Sequence, residues 1–239
     1  QPAYPARVKR RVEGGGAMKR ILTALLLLPI LALSQAGDWY MDFDEDWAAA
    51  AASGVPYQVV AYIETDGSSW LETGINSSDD LEVRLRFYCL RFIHSYRAVF
   101  MNYLSETSNA FRLIQGENSS GWYISANTRA GGSQLISAAD LPYQSWNTFT
   151  LKRWEYSING TTNSVTMKTV GTEFNGPILI AYANMECRYA YFKMLKGGIV
   201  VFDGVPVVAP DGQGALYDLV SKRLIENSGG GTITWSLSE

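Results

Sequence analysis

From Tyr57 onward apolar and polar residues alternate in short runs, with turn residues every eight to twelve positions. That is the rhythm of antiparallel strands with one face buried and one wet. Glu82 to Leu90 carries it most clearly. Val83, Leu85, Phe87 and Cys89 fall on one side of an extended chain, and Glu82, Arg84, Arg86 and Tyr88 on the other, because successive side chains of a strand point to opposite faces. Further strands are expected around Arg97 to Tyr103, Ala110 to Gln115, Trp122 to Asn127, Asn147 to Arg153, Ser164 to Val170, Ile178 to Ala183, Arg188 to Leu195 and Ile199 to Val208. Asn159-Gly160, between Tyr156-Ser157-Ile158 and Asn163, predicts a tight hairpin, since both central positions of that turn need positive φ. Tyr62 to Gly74 reads as a strand, a glycine turn and a return strand, as does the tail from Gly214 to Thr232. No segment after Pro56 has a helical period. The 22 glycines and 13% aromatic residues agree with an all-β body, and about 180 residues suffice to bury one sizeable core.

The residues before Tyr57 follow other rules. Met18-Lys19-Arg20, an apolar run from Ile21 to Leu33 and then Ser34-Gln35-Ala36 make the basic, apolar and small-residue zones of a secretory signal. Cleavage is expected after Ala36. A membrane anchor is the competing reading, but a spanning helix needs about 20 apolar residues, and this run is shorter and contains Pro29. Residues 1–17 precede the initiating methionine of such a signal, and Glu13-Gly14-Gly15-Gly16 stands where a translated ribosome-binding site would fall. This segment is therefore expected not to be made. Residues 37–56 hold five acids, Asp38, Asp42, Asp44, Glu45 and Asp46, and the alanine run Ala48 to Ala52. They read as a linker with one short helix stopped at Gly54. The expected organisation is 1–17 upstream segment, 18–36 signal, 37–56 linker and 57–239 sandwich.

Loss of residues 1–36 would remove six of the 20 basic residues and one of the 23 acids, leaving 14 against 22. Such a surface repels phosphate backbones, so nucleic acid is not expected as a partner. The two cysteines, Cys89 and Cys187, could bridge in an oxidising compartment or remain separate buried thiols. Spacing does not choose between these.

Tyr62 to Gly74, with its tyrosine-isoleucine-glutamate strand, glycine turn, aromatic, acid, threonine and glycine, resembles the opening of concanavalin A-like lectin/glucanase domains. The likeness is to the LamG-like jelly-roll kind found in bacterial and phage surface proteins. Tyr191 to Val207 is similar to the family's strand, glycine turn and strand ending near a proline. Leu216 to Ser221 with Asn227 to Thr232 resembles its closing hairpin. Glu72 stands where the family has aspartate and Val207 where it often has cysteine. The resemblance covers the ends of the body well and Leu90 to Ser145 only by strand rhythm. It implies an antiparallel jelly-roll β-sandwich and a non-catalytic carbohydrate-binding module, although some relatives on the fold are glucanases.

The side chains favour binding over hydrolysis. A glycosidase needs two carboxylates facing one sugar. The only run of three acids at strand spacing, Asp42, Asp44 and Asp46, lies in the linker. As a calcium loop that run fails too, having Trp47 and Ser53 where an EF-hand needs glycine and glutamate. Loop carboxylates such as Asp66, Asp79 or Asp80 read as turn formers. His94 is the single histidine, which removes most triad chemistry and leaves no zinc set. No cofactor or metal is implied. Seven tryptophans and fourteen tyrosines remain, and flat rings bind sugar faces while polar neighbours fix hydroxyls. The binding candidates are Trp122 and Tyr123 after the loop-like Asn118 to Gly121, then Trp154, with Tyr96 and Tyr103 behind them. Trp70 and Trp235 are assigned to the core. The expectation is a secreted or envelope-located module that binds an extracellular glycan, or failing that a structural or adhesion module contacting a surface protein, with no membrane span once the signal is removed.

Overall fold

The computed structural model describes residues 54–238, apart from residues 79, 92–96, 103–110, 116–120, 127–133, 153–154, 165–175 and 183. The expected upstream segment, signal and most of the linker lie outside the described residues. In chain order the strands are β1 (Gln58–Val59), β2 (Tyr62–Thr65), β3 (Leu71–Asn76), β4 (Leu81–Cys89), β5 (Arg97–Asn102), β6 (Phe111–Gln115), β7 (Gly121–Ala126), β8 (Gln134–Ser137) and β9 (Trp146–Leu151). They continue as β10 (Glu155–Ile158), β11 (Thr161–Ser164), β12 (Pro177–Ile180), β13 (Cys187–Lys196), β14 (Ile199–Val208), β15 (Gly214–Asp218), β16 (Arg223–Ile225) and β17 (Ile233–Ser236). The described residues contain no helix, and so none long and apolar enough to cross a membrane.

Two antiparallel sheets result. The larger runs β11-β10-β9-β4-β13-β14-β15-β16, and β2 lies between the first half of β13 and β17, while β1 pairs with the end of β14. The smaller runs β3-β12-β5-β6-β7-β8. Their inner faces interdigitate, which defines a β-sandwich. Phe100 of β5 meets Phe192 of β13 and Phe149 of β9 at 6.1 and 6.4 Å between ring centroids, and Phe87 of β4 meets Trp122 of β7 edge-on at 5.8 Å. Val83, Leu85, Phe87 and Cys89 are at most 2% exposed, while Arg84, Arg86 and Tyr88 are only half-buried. The alternation read in β4 is therefore the alternation of the sandwich.

The predicted hairpin is present. Ile158 faces Thr161, with Asn159 and Gly160 at φ of 47° and 84° between them, the backbone that lets a two-residue loop follow the twist of its strands. Ile199–Val208 forms over the expected span, and β15 and β16 make a closing hairpin, but it turns at Leu219 to Lys222; the glycine run Gly229 to Gly231 leads instead to β17, which pairs with β2. The first glycine turn behaves differently from expectation. Asp66 to Trp70 does not return the chain onto β2; it carries it to the other sheet, where β3 pairs with β12. The free edge of β2 is taken instead by β17, with Trp235 opposite Ile63 and Thr234 opposite Glu64.

The same turn binds the two ends of the body. Asp66 accepts hydrogen bonds from the backbone N–H groups of Ser68 (2.8 Å), Ser69 (3.1 Å) and Thr232 (2.6 Å), the last 166 residues away. The glycine run opposite exists because the chains approach so closely. A Cβ on Gly229 would stand 2.3 Å from the Ser68 carbonyl oxygen, and one on Gly231 2.2 Å from the Asp66 carboxylate.

Two core assignments change. Trp70 is half-buried, edge-on to Tyr182 at 5.8 Å. Trp235 is 37% exposed and donates from Nε1 to the Gly212 carbonyl. It follows Ile63 and Ile233 to the inner side, but on an edge strand where the second layer leaves its ring uncovered.

Candidate functional site

The outer face of the larger sheet collects the side chains that β2, β13, β4 and β9 turn away from the core. Register places Glu64 opposite Arg188, Arg188 opposite Tyr88 and Tyr88 opposite Trp146, a row across four strands. Tyr62, two residues before Glu64, joins the same face, as does Arg86, two before Tyr88. With strands about 4.8 Å apart the row spans about 14 Å.

These side chains pack on one another. The Trp146 ring lies 5.7 Å from both Tyr62 and Tyr88. The Arg188 guanidinium sits over Tyr62 and Tyr88 at 5.0 and 5.1 Å, and that of Arg86 over Trp146 at 4.9 Å. Each such cation–ring contact contributes about 0.5–1 kcal/mol at a partly exposed site. Arg188 Nε donates to Glu64 Oε2 at 2.6 Å. That bond holds the Arg188 proton above its ordinary value, against the opposing effect of burial. All six residues are half-buried. The cluster is a pre-ordered platform of three rings, two guanidinium groups and a carboxylate.

Beyond it the same face carries ion pairs, Glu82 with Arg84, Lys193 with Asp203 at 3.1 Å, and Lys152 with Glu155 at 2.7 Å. In each pair the carboxylate is engaged by a neighbouring cation. Among the described residues, no group of three or more His, Cys, Asp or Glu is placed to hold a metal ion. Asp66 is occupied by backbone N–H groups and Asp80 accepts from Ser78 Oγ at 2.6 Å; Asp79 and His94 lie outside the described residues.

Of the aromatic residues singled out in the sequence, only Trp122 has a described side chain, and it is not part of this cluster. Trp122 is fully buried, stacked on Tyr143 at 4.9 Å, with Nε1 donating to the Leu141 carbonyl at 2.7 Å. This corrects its reading as a ligand contact, for a ring with no exposed face has none to offer a sugar. Strand β7 lies inside the smaller sheet, between β6 and β8, and turns Trp122 toward Phe87 rather than toward water. Tyr123 is placed by its backbone alone, in β7 opposite Ile114 and Leu135. Trp154, Tyr96 and Tyr103 lie outside the described residues. Tyr62, Tyr88, Trp146 and Arg188 were missed. The wet face of β4 could have pointed to Tyr88, which already stood there beside Arg86.

No protein-family model matches the chain, and no curated protein matches it significantly.

Proposed function

We propose that this protein is a non-catalytic carbohydrate-binding module, secreted or held at the cell envelope, on a concanavalin A-like jelly-roll sandwich. Its ligand is an extracellular glycan lying across Trp146, Tyr62 and Tyr88. The observation that carries this reading is the convergence of three half-buried rings with Arg86, Arg188 and Glu64 on one outer sheet face. Rings provide apolar contact for the faces of sugar rings, and the charged groups beside them provide hydrogen bonds for hydroxyls. The ion-paired state of Glu64, Glu82, Asp203 and Glu155 supports binding over hydrolysis. The resemblance of the end segments to LamG-like domains supports the same class of ligand.

The test is tryptophan fluorescence titrated with a panel of soluble polysaccharides. At least one should give a saturable change, and Trp146→Ala should weaken that binding at least about tenfold, the loss of one aromatic contact of about 1.4 kcal/mol, while circular dichroism stays unchanged. A flat response from folded protein to every polysaccharide would reject the proposal and favour a module that contacts protein. Reducing-sugar release that a single carboxylate substitution abolishes would make it a hydrolase.

A further inference from the structure

Cys89 ends β4 and Cys187 begins β13, and the two are direct partners in antiparallel register. Antiparallel partners come in two kinds, and the surrounding bonds identify this one. The Cys187 N–H donates to Thr65 Oγ1 at 3.1 Å and its carbonyl accepts from the same hydroxyl at 3.2 Å, so both backbone groups face β2 rather than β4. The Leu90 N–H meanwhile donates to the Glu186 carbonyl at 3.2 Å, one step outside the pair. The cysteines therefore occupy a non-hydrogen-bonded position, where Cα atoms stand about 4.5 Å apart and side chains are closest. A disulfide accepts Cα separations of about 4.4 to 6.8 Å.

The surroundings fit as well. Both side chains point inward and are fully buried, as unbridged thiols on directly paired residues. Gln115 Nε2 donates to Cys89 Sγ at 3.0 Å and to the Arg91 carbonyl at 3.2 Å, while Cys89 Sγ donates to that same carbonyl at 3.3 Å. Removing the thiol hydrogens would leave Cys89 Sγ still accepting from Gln115 and the Arg91 carbonyl still satisfied. Oxidation thus strands no buried polar group at Cys89, and such stranding is the usual cost of altering a packed core.

We propose that Cys89 and Cys187 are a disulfide-forming pair, closed during folding in an oxidising compartment into a cross-strand bridge between β4 and β13. The thiolate of one cysteine attacks the disulfide of a thiol–disulfide oxidoreductase or of oxidised glutathione, forming a mixed disulfide and releasing one carrier thiol. The thiolate of the other then displaces the second carrier thiol and forms the S–S bond. The chain loses a pair of electrons and both thiol protons; the carrier is reduced to thiols. Burial pushes the Cys187 thiol well above its ordinary range in the folded protein, so the exchange belongs to the folding chain, while the sulfurs are still accessible. The bridge stands next to Tyr88 and Arg188, one residue along each strand, and fixes the register on which their pairing depends.

The experiment uses purified protein, unfolded and then refolded in a buffer of oxidised and reduced glutathione. It is quenched with an alkylating agent in denaturant without reductant. Neither cysteine should be alkylated, and digestion should yield one peptide pair joined through Cys89 and Cys187. The loop closed is about 100 residues long, so the bridged form should melt on the order of 10 °C above the reduced form. The double variant Cys89→Ala, Cys187→Ala should melt at one temperature with or without reductant. Alkylation of both cysteines in the refolded protein, or a bridged form that melts no higher than the reduced one, overturns the proposal.

Discussion

The outer face of the larger sheet is built in two ways. Toward β1, β14 and β15 it is apolar and sealed. Val207 and Ala215 are fully buried, and Tyr217 is 7% exposed, with Val55, Tyr57, Val59, Leu219 and Leu224 packed against them. Toward β2, β13, β4 and β9 it carries Tyr62, Arg188, Tyr88, Arg86 and Trp146, all half-buried. Both regions alternate in the same way along their strands. What separates them is cover: the chain entering β1 lays Tyr57 on Tyr217, ring centroids 5.6 Å apart, whereas among the described residues the second region is shielded by its own rings and guanidinium groups. The apolar region is closed by the chain itself, and the mixed cluster of rings and charges is the surface that the proposed glycan contact would use.

The inner face sets the scale for testing this. Phe100→Ala, at a fully buried position, should cost about 3–5 kcal/mol in urea unfolding. Tyr217→Ala in the sealed region should cost about 3 kcal/mol, because it too leaves a cavity. Trp146→Ala in the ring cluster should cost only about 1–2 kcal/mol, from lost ring and cation contacts, and should abolish most glycan response. If the Tyr217 and Trp146 variants destabilise equally, the two regions do not differ as described. The smallest effect concerns the anchor at the end of β2. Burial acts to raise the Asp66 pKa, but the combined hydrogen bonds from Thr232, Ser68 and Ser69 outweigh it and hold the carboxyl below its usual 3.8. A depressed folded-state pKa adds stability above the unfolded value, and that stability is lost as pH falls through the folded one. Asp66→Ala should cost about 1 kcal/mol at neutral pH, discounted for exposure. The difference between wild type and variant should shrink when unfolding is repeated below pH 3.8.

Local pattern carried much of the fold. The faces of β4 could be read because Val83, Leu85 and Phe87 alternate without a break, and Asn159-Gly160 because its backbone demand is met by few other dipeptides. The turn at Asp66 was misread because a turn between layers uses the same residues as a hairpin turn; only the partners of β2 and β3, far along the chain, distinguish them. Strand β8, four residues long and at the edge of its sheet, gave too short an alternation to notice. The ring cluster was hidden for a related reason. Its members come from four strands separated by up to 126 positions, from Tyr62 to Arg188, and their meeting depends on register. Trp122 shows the converse, since a tryptophan after a polar loop looks exposed until the facing layer supplies Phe87 and Tyr143.

The pairing of β2 with β17 sets Tyr62 directly opposite Ser236. Apart from the two-residue β1, which pairs with β14, the described sandwich therefore opens and closes on neighbouring strands, and a peptide joining the chain before β1 to the chain after β17 should leave the pairing of both layers unchanged. A circularly permuted version, newly opened between Asn159 and Gly160 in the exposed β10–β11 loop, should keep the same architecture. By the same geometry, a larger polypeptide could carry this body as a self-contained insertion, entering and leaving through neighbouring strands and leaving the path of its host almost unchanged.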